Sequence, residues 1–205
     1  MSKTTFALRS ILVTLCLTLL VACGDGGEDV PDRPFANVTE VAQAFAKAPF
    51  PPLSQIDYQR GTQSTNPDVV ITRKLALYPM CCNVVMIDYQ GKRIFEAEEY
   101  RENYIYEGIV AKHHLIWAFV GSGRFTMVDK YFVDGEDVMQ PYLVQHYRRF
   151  ISGVKEFDGQ WILFEFYDFT DPPYSAIHQA ATYYVAYNPN TKELVDYGQY
   201  LTYRP

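Results

Sequence analysis

Two cysteines stand side by side at Cys81-Cys82. Adjacent cysteines can close a strained small ring, because Cα atoms joined by a trans peptide are about 3.8 Å apart, against about 4.4–6.8 Å in an ordinary disulfide. Tyr78-Pro79 just before them marks a bend where such strain can be held. The alternative is a reduced pair on a strand, with Cys82 in the core and Cys81 outside. Metal use is a third reading. Met80 and Met86 with thiolates suit Cu(I), but opposite strand faces disfavour shared ligation, and no Met- or His-rich repeat accompanies them.

His113-His114 meet the same obstacle: on a strand they point to opposite faces and cannot share a metal. His146 and His178 stand apart, and neither His-Glu-x-x-His nor Cys-x-x-Cys occurs. Glu96, Glu98, Glu99 and Glu102 form an acidic run; Glu96 and Glu98 share one strand face, which reads as an exposed strand end. Asp168 and Asp171 flank the aromatic run Phe164, Phe166, Tyr167 and Phe169. Paired carboxylates serve glycosidases, but sequence spacing fixes no distance between them. Gly121-Ser122-Gly123 has Val120 where a nucleophile elbow has its earlier glycine, so it reads as a turn. Asp134-Gly135-Glu136-Asp137 lacks calcium-loop spacing. No catalytic residue, metal or cofactor is therefore assigned. An envelope enzyme using carboxylates, or a thiol-redox protein using Cys81-Cys82, stands as the alternative to a binding domain.

The elements that carry these residues are mostly strands. Asn37 to Lys47 predicts a helix: Asn37 caps, Glu40 completes a capping box, and Val38, Val41, Ala42 and Phe45 form one stripe before Pro49. Beyond a polar loop at Gln55 to Pro67, the strand period takes over. Gln90-Gly91 and Asp158-Gly159 each join two apolar runs and predict hairpins, and Asn188 to Thr191 predicts another turn. The segment 141–152 supports two readings. Leu143, Tyr147, Phe150 and Ile151 have helix spacing, with Pro141 near the start, Gly153 past the end, and Arg148 and Arg149 favourably placed in the last turn. The same residues can instead form a strand feeding the Asp158-Gly159 hairpin. The expected fold class is α+β, mostly β: a strongly bent antiparallel sheet or partial barrel with an N-terminal helix and room for a second.

Composition narrows the function classes. The 205-residue chain is 16% aromatic, with 17 Tyr and 13 Phe, residues that favour strands. Its net charge of −6 makes it a poor nucleic-acid binder, since phosphate binding needs clustered Lys and Arg. The aromatic surplus serves a β core and cross-strand pairs, or a face or cavity for an apolar small molecule, a glycan strand or a protein partner. Tyr197, Tyr200 and Tyr203, near the chain's end, are expected to be partly exposed.

The first 22 residues read as a signal peptide. Lys3 and Arg9 provide a positive start, and Ile11 to Leu20 is an apolar run about half the roughly 20 residues a spanning helix needs. Leu20-Val21-Ala22-Cys23 then resembles the lipobox of bacterial lipoproteins, a resemblance confined to residues 1–23. It implies cleavage before Cys23 and acylation of that cysteine, with the membrane as partner through the lipid. Two or more acyl chains hold a protein stably. Gly24 follows the cysteine and Asp25 comes one later, which by the same resemblance favours the periplasmic face of the outer membrane over the inner. Residues 23–34 are glycine-rich and acidic, a flexible tether, and 35–205 form one strand-rich domain. The function expected is that of a lipid-anchored, non-catalytic binding or interaction domain; one form is a periplasmic inhibitor or immunity protein. Cys23→Ala is expected to abolish acyl-probe labelling in cells and leave an uncleaved or mislocalised precursor; equal labelling of mutant and parent would contradict the anchor.

Overall fold

In the computed structural model, residues 33–74, 83–99, 103–122, 126–146, 149–168 and 179–203 are described. Cys23, Cys81, Cys82, Asp171 and His178 lie outside them. Contacts divide the chain into Met1–Arg33 and Pro34–Pro205, and the second unit is the one described below.

Helix α1 spans Val38–Lys47, and its start follows the local chemistry. The Asn37 side chain accepts from the Glu40 backbone N–H at 3.1 Å, and Glu40 Oε2 accepts from the Ala36 N–H at 3.0 Å. Val41, Ala42 and Phe45 are buried, so the expected stripe is the packing face.

Among the described residues the strands form three antiparallel sheets, none closed into a barrel. A three-stranded sheet holds β2 (Val69–Lys74), β3 (Asn83–Tyr89) and β4 (Lys92–Glu99). A five-stranded sheet has the order β1-β5-β6-β7-β8: Ser54–Gln55, Asn103–Val110, His113–Ser122, Thr126–Val133 and Glu136–Asp137. A four-stranded sheet runs β12-β11-β10-β9: Glu193–Tyr203, Gln179–Asn188, Trp161–Asp168 and Arg149–Phe157. The fold is α+β and mostly β.

Period-two alternation stacks these sheets. On β6 and β7, Leu115 and Tyr131 join a core with Ile151, Val154, Phe164 and Phe166 of the four-stranded sheet. Their chain neighbours Ile116 and Phe132 join another core with Val69, Val85, Ile87 and Phe95 of the three-stranded sheet. The five-stranded sheet is therefore the middle layer, buried on both faces. The outer face of the four-stranded sheet takes α1, where Val41 and Phe45 meet Leu163, Tyr184, Ala186 and Val195.

The ambiguous segment divides between its two readings. Helix α2 covers only Gln140–Gln145, and the chain is a strand again from Arg149. Arg149 thus does not lie in a helix's last turn. The ladder decides this: Ile151 pairs with Phe166 and Val154 with Phe164, placing both apolar side chains in the inter-sheet core. A longer helix would forfeit that pairing, and local periodicity is the weaker term.

Five hairpin turns gather at one end of the layers. Gln90-Gly91 and Asp158-Gly159 take positive φ as their residue types suggest, and so does Asp134-Gly135. The turn between β5 and β6 is different: Ala111 and Lys112 adopt φ 49 and 67. The strain there is offset by burial of Ala111 and by its N–H donating to Glu156 Oε2 at 2.7 Å. Gly135, at φ +81, has the Tyr89 ring against it, so an added Cβ would lie 2.4 Å from Tyr89 Cδ1. Gly135→Ala is expected to cost about 2–4 kcal/mol, combining backbone strain and steric overlap. Urea unfolding checks it, and a loss within about 0.5 kcal/mol would show that the Tyr89 ring does not bear on this turn.

Candidate functional site

His113 and His114 point apart, as strand geometry requires. His113 Nδ1 lies 2.6 Å from Asp134 Oδ2 and its Nε2 3.3 Å from Asn190 Oδ1. Asp134 Oδ1 also accepts from the His114 N–H at 3.0 Å, and Lys192 Nζ meets Glu136 Oε1 at 2.7 Å. These contacts tie the β5–β6, β7–β8 and β11–β12 turns together. Among the described residues, no group of three or more His, Cys, Asp or Glu is arranged to hold a metal. Glu96 and Glu98 are exposed, as expected of a strand end, and Glu96 accepts from Arg93 Nη1 at 2.5 Å. Tyr197 and Tyr200 are half-buried, the first accepting a hydrogen bond from the Phe35 N–H at 3.2 Å.

The sequence reading passed over Glu107. It lies on β5 with only 2% of its surface exposed. Its Oε1 accepts from the Thr65 N–H at 2.6 Å and the Thr65 hydroxyl at 2.9 Å. Its Oε2 accepts from the Ser64 hydroxyl at 2.5 Å and faces His114 Nε2 at 3.2 Å. A carboxylate only accepts, so Nε2 is the protonated nitrogen, and His114 Nδ1 is left buried without a partner. Serine, carboxylate and histidine are all present, but in the wrong order for acyl transfer. Ser64 donates to Glu107 directly, and no histidine lies between them to take its proton. With four donors around it, Glu107 fastens the 64–66 loop to the middle sheet. Burial raises its pKa, but the bonds from Ser64, Thr65 and His114 outweigh that and leave it below the ordinary glutamate value.

The other face of the middle sheet carries an aromatic stack. Tyr106, Trp117 and Tyr131 are cross-strand neighbours on β5, β6 and β7. Their rings stack at 5.1 Å and 5.5 Å between centroids, tilted by 26° and 16°. Tyr104 stacks on Tyr106 at 6.4 Å and also meets Phe119. The row ends in the core, where Tyr131 meets Phe164 edge-on at 5.4 Å. Toward its other end, Tyr104, Tyr106, Trp117 and Phe119 each keep part of their surface accessible. Between successive rings the faces are taken up by stacking. That arrangement cannot sandwich a sugar between successive rings.

Asp129 is the polar member of this patch. It lies opposite Phe119 on β7, and its Oδ1 accepts from Trp117 Nε1–H at 2.7 Å. Its Oδ2 accepts from the Ile151 N–H at 3.4 Å, which links the middle sheet to the four-stranded one. Burial pushes its pKa up to about 7, against the lowering effect of the two donors. The Tyr131 hydroxyl nearby is buried with no hydrogen-bond partner, and burial with the Asp129 charge raises its pKa well above the ordinary value. Sequence pattern gave no warning of Asp129 beyond a lone carboxylate inside an aromatic strand.

The chain matches no family model, no curated protein and no solved structure.

Glu107 and Asp129 should affect stability in opposite directions with pH. The folded pKa of Glu107 is depressed, so its contribution is present above the unfolded value and lost as pH falls through the folded one. The folded pKa of Asp129 is raised to about 7, so folding is opposed increasingly as pH rises from the unfolded value through about 7. Urea unfolding over acid and neutral pH is expected to show Glu107→Gln losing about 2 kcal/mol or more at neutral pH, with a flatter acid limb. Asp129→Asn should instead flatten the decline toward neutral pH. Parallel curves for parent and both variants would refute the assignment.

Proposed function

We propose that the protein is a lipoprotein held through acylated Cys23 on the periplasmic face of a bacterial membrane, the outer membrane by preference. Its domain is then a non-catalytic interaction module for a protein partner. The anchor rests on the Leu20 to Cys23 lipobox and the charged, short apolar run before it. No helix among the described residues is long and apolar enough to cross a membrane.

The partner reading rests on one observation, the partly accessible stack of Tyr104, Tyr106, Trp117 and Phe119 beside Asp129. Large aromatic side chains dominate binding energy at protein interfaces, Tyr and Trp especially. Rings already fixed by stacking lose little side-chain entropy on binding. Close stacking leaves no space between successive rings for a sugar. An apolar small molecule would need a lined cavity, whereas Tyr131, Phe164, Phe166 and Tyr142 fill the core beneath the stack ring against ring. The polar groups that could suggest catalysis are engaged in structural ties, Glu107 by Ser64, Thr65 and His114, and Asp134 by His113 and the His114 backbone.

A photo-crosslinking residue placed at Tyr104, in the anchored protein in intact cells, is expected to give a discrete adduct with one envelope protein. The same residue at Lys192, on the opposite turn end, should not give it. Identical adducts from both positions, or none from Tyr104, would remove the docking face.

A further inference from the structure

Helix α1 and the end of β9 leave a groove of about 490 Å³ between them, open along one side. Its floor is apolar, made by Ala44, Ala48, Pro49 and Phe157. The Phe157 ring is fixed by that of Phe35, 4.6 Å away between centroids. The chain leaves the groove through Phe50, which is 73% exposed yet held in place. Its ring centre lies 4.3 Å from Lys155 Nζ, and that shielded ammonium donates to the Phe45 carbonyl at 2.8 Å. A preformed apolar groove that opens onto a fixed, exposed ring can be filled from outside with little ordering cost.

The rim carries an excess of negative charge. Glu40 and Gln43 on α1 and Asp158 in the β9–β10 turn stand along it, all exposed, with Lys47 at the helix end. Glu156 belongs to the same wall, but its Oε2 is taken by the Ala111 N–H. Glu40 accepts from the Ala36 N–H and the Asn37 amide, which fixes its carboxylate in position. The last-turn carbonyls of α1 add partial negative charge at the Ala48 end. A basic group is therefore favoured here and an acidic one opposed. Residues 24–32 carry Asp25, Glu28, Asp29 and Asp32 and no Lys or Arg, so the chain's own leading segment is a poor match.

We propose that the groove between α1 and the β9–β10 turn docks a basic segment of a partner protein. The aliphatic stem of an arginine or lysine lies along the floor of Ala44, Ala48 and Phe157, and its charged head meets Glu40 and Asp158 at the rim. An uncharged segment would gain nothing from the rim, and an acidic one would be repelled by it. The net charge of −6 favours encounter with a basic partner over longer distances. The groove stands on residues separate from the Tyr104–Trp117 stack, so neither surface depends on the other.

The test uses the chain purified from cells in mild detergent and a capped pentapeptide, Ala-Arg-Leu-Arg-Ala, carrying a neutral fluorophore. Its counterpart with Glu in place of Arg and protein-free micelles are the controls. A saturable rise in anisotropy with a dissociation constant on the order of 100 μM is expected for the basic peptide, and binding at least about tenfold weaker for the acidic one. Three exposed positions locate the site. Gln43→Arg, which adds bulk and positive charge to the wall, should weaken binding about fivefold; Asp158→Asn should weaken it about twofold, and Lys47→Glu should tighten it about twofold. Equal affinity for the two peptides, or no saturable binding, would overturn the proposal. So would binding that all three substitutions leave unchanged, since the peptide would then sit elsewhere. Deletion of residues 24–32 should alter affinity less than about twofold; a gain of tenfold or more would assign the groove to that segment instead of a partner.

Discussion

The two-sided burial of the β6–β7 pair is the constraint on which the other layers depend. Leu115 and Tyr131 enter one core while Ile116 and Phe132 enter another, and all four are nearly inaccessible. Each such side chain is worth roughly 1.5–3 kcal/mol only if its own face is covered. The middle sheet must therefore be flanked on both sides. The three-stranded sheet covers one face and the four-stranded sheet the other, and the latter, amphipathic in turn, needs α1 on its outer face. The stacking order follows from that requirement.

A sheet buried on both faces leaves little room for polar side chains, so those it contains need internal partners. Glu107 illustrates full compensation: its donors come from the 64–66 loop and from β6, and the carboxylate stays ionised within the core. Asp129 illustrates partial compensation. With one indole and one long backbone contact it is displaced toward the neutral form. The difference lies in the number and quality of donors, not in the residue type. The Tyr131 hydroxyl nearby is buried without a partner, as is His114 Nδ1 on the sheet's opposite face.

The two ends of the layered domain differ in kind. At one, tight turns are cross-linked through His113, Asp134, Asn190, Lys192 and Glu136, side chains spent on holding the sheets in register. Toward the other lie the partly accessible aromatic rings and, through Phe164, Phe166 and Tyr142, a continuous line of ring contacts leading toward Arg149. One end is thus cross-linked by side-chain contacts between turns, while the other keeps parts of its aromatic rings accessible.

Features decided within a few residues were determined by the sequence itself. The Asn37–Glu40 cap, the stripe of Val41, Ala42 and Phe45, the Gln90-Gly91 and Asp158-Gly159 turns, and the opposed directions of His113 and His114 follow from local geometry. So did the strand-rich class, because aromatic and β-branched residues recur at period two. Tertiary structure alone decided the rest. The 141–152 segment has a helix pattern that only pairing with β10 could interrupt after Gln145. Ala111-Lys112 carries no turn signal, and its strained conformation is offset by a hydrogen bond that the Ala111 N–H donates to Glu156, 45 positions away. Glu107 and Asp129 look like ordinary strand carboxylates until loop and sheet partners are brought to them. Arg149 has helix-end spacing in the sequence but stacks on a tyrosine from another strand. Burial, register between distant strands and the donors that reach a carboxylate are properties of the packed chain, and no local pattern encodes them.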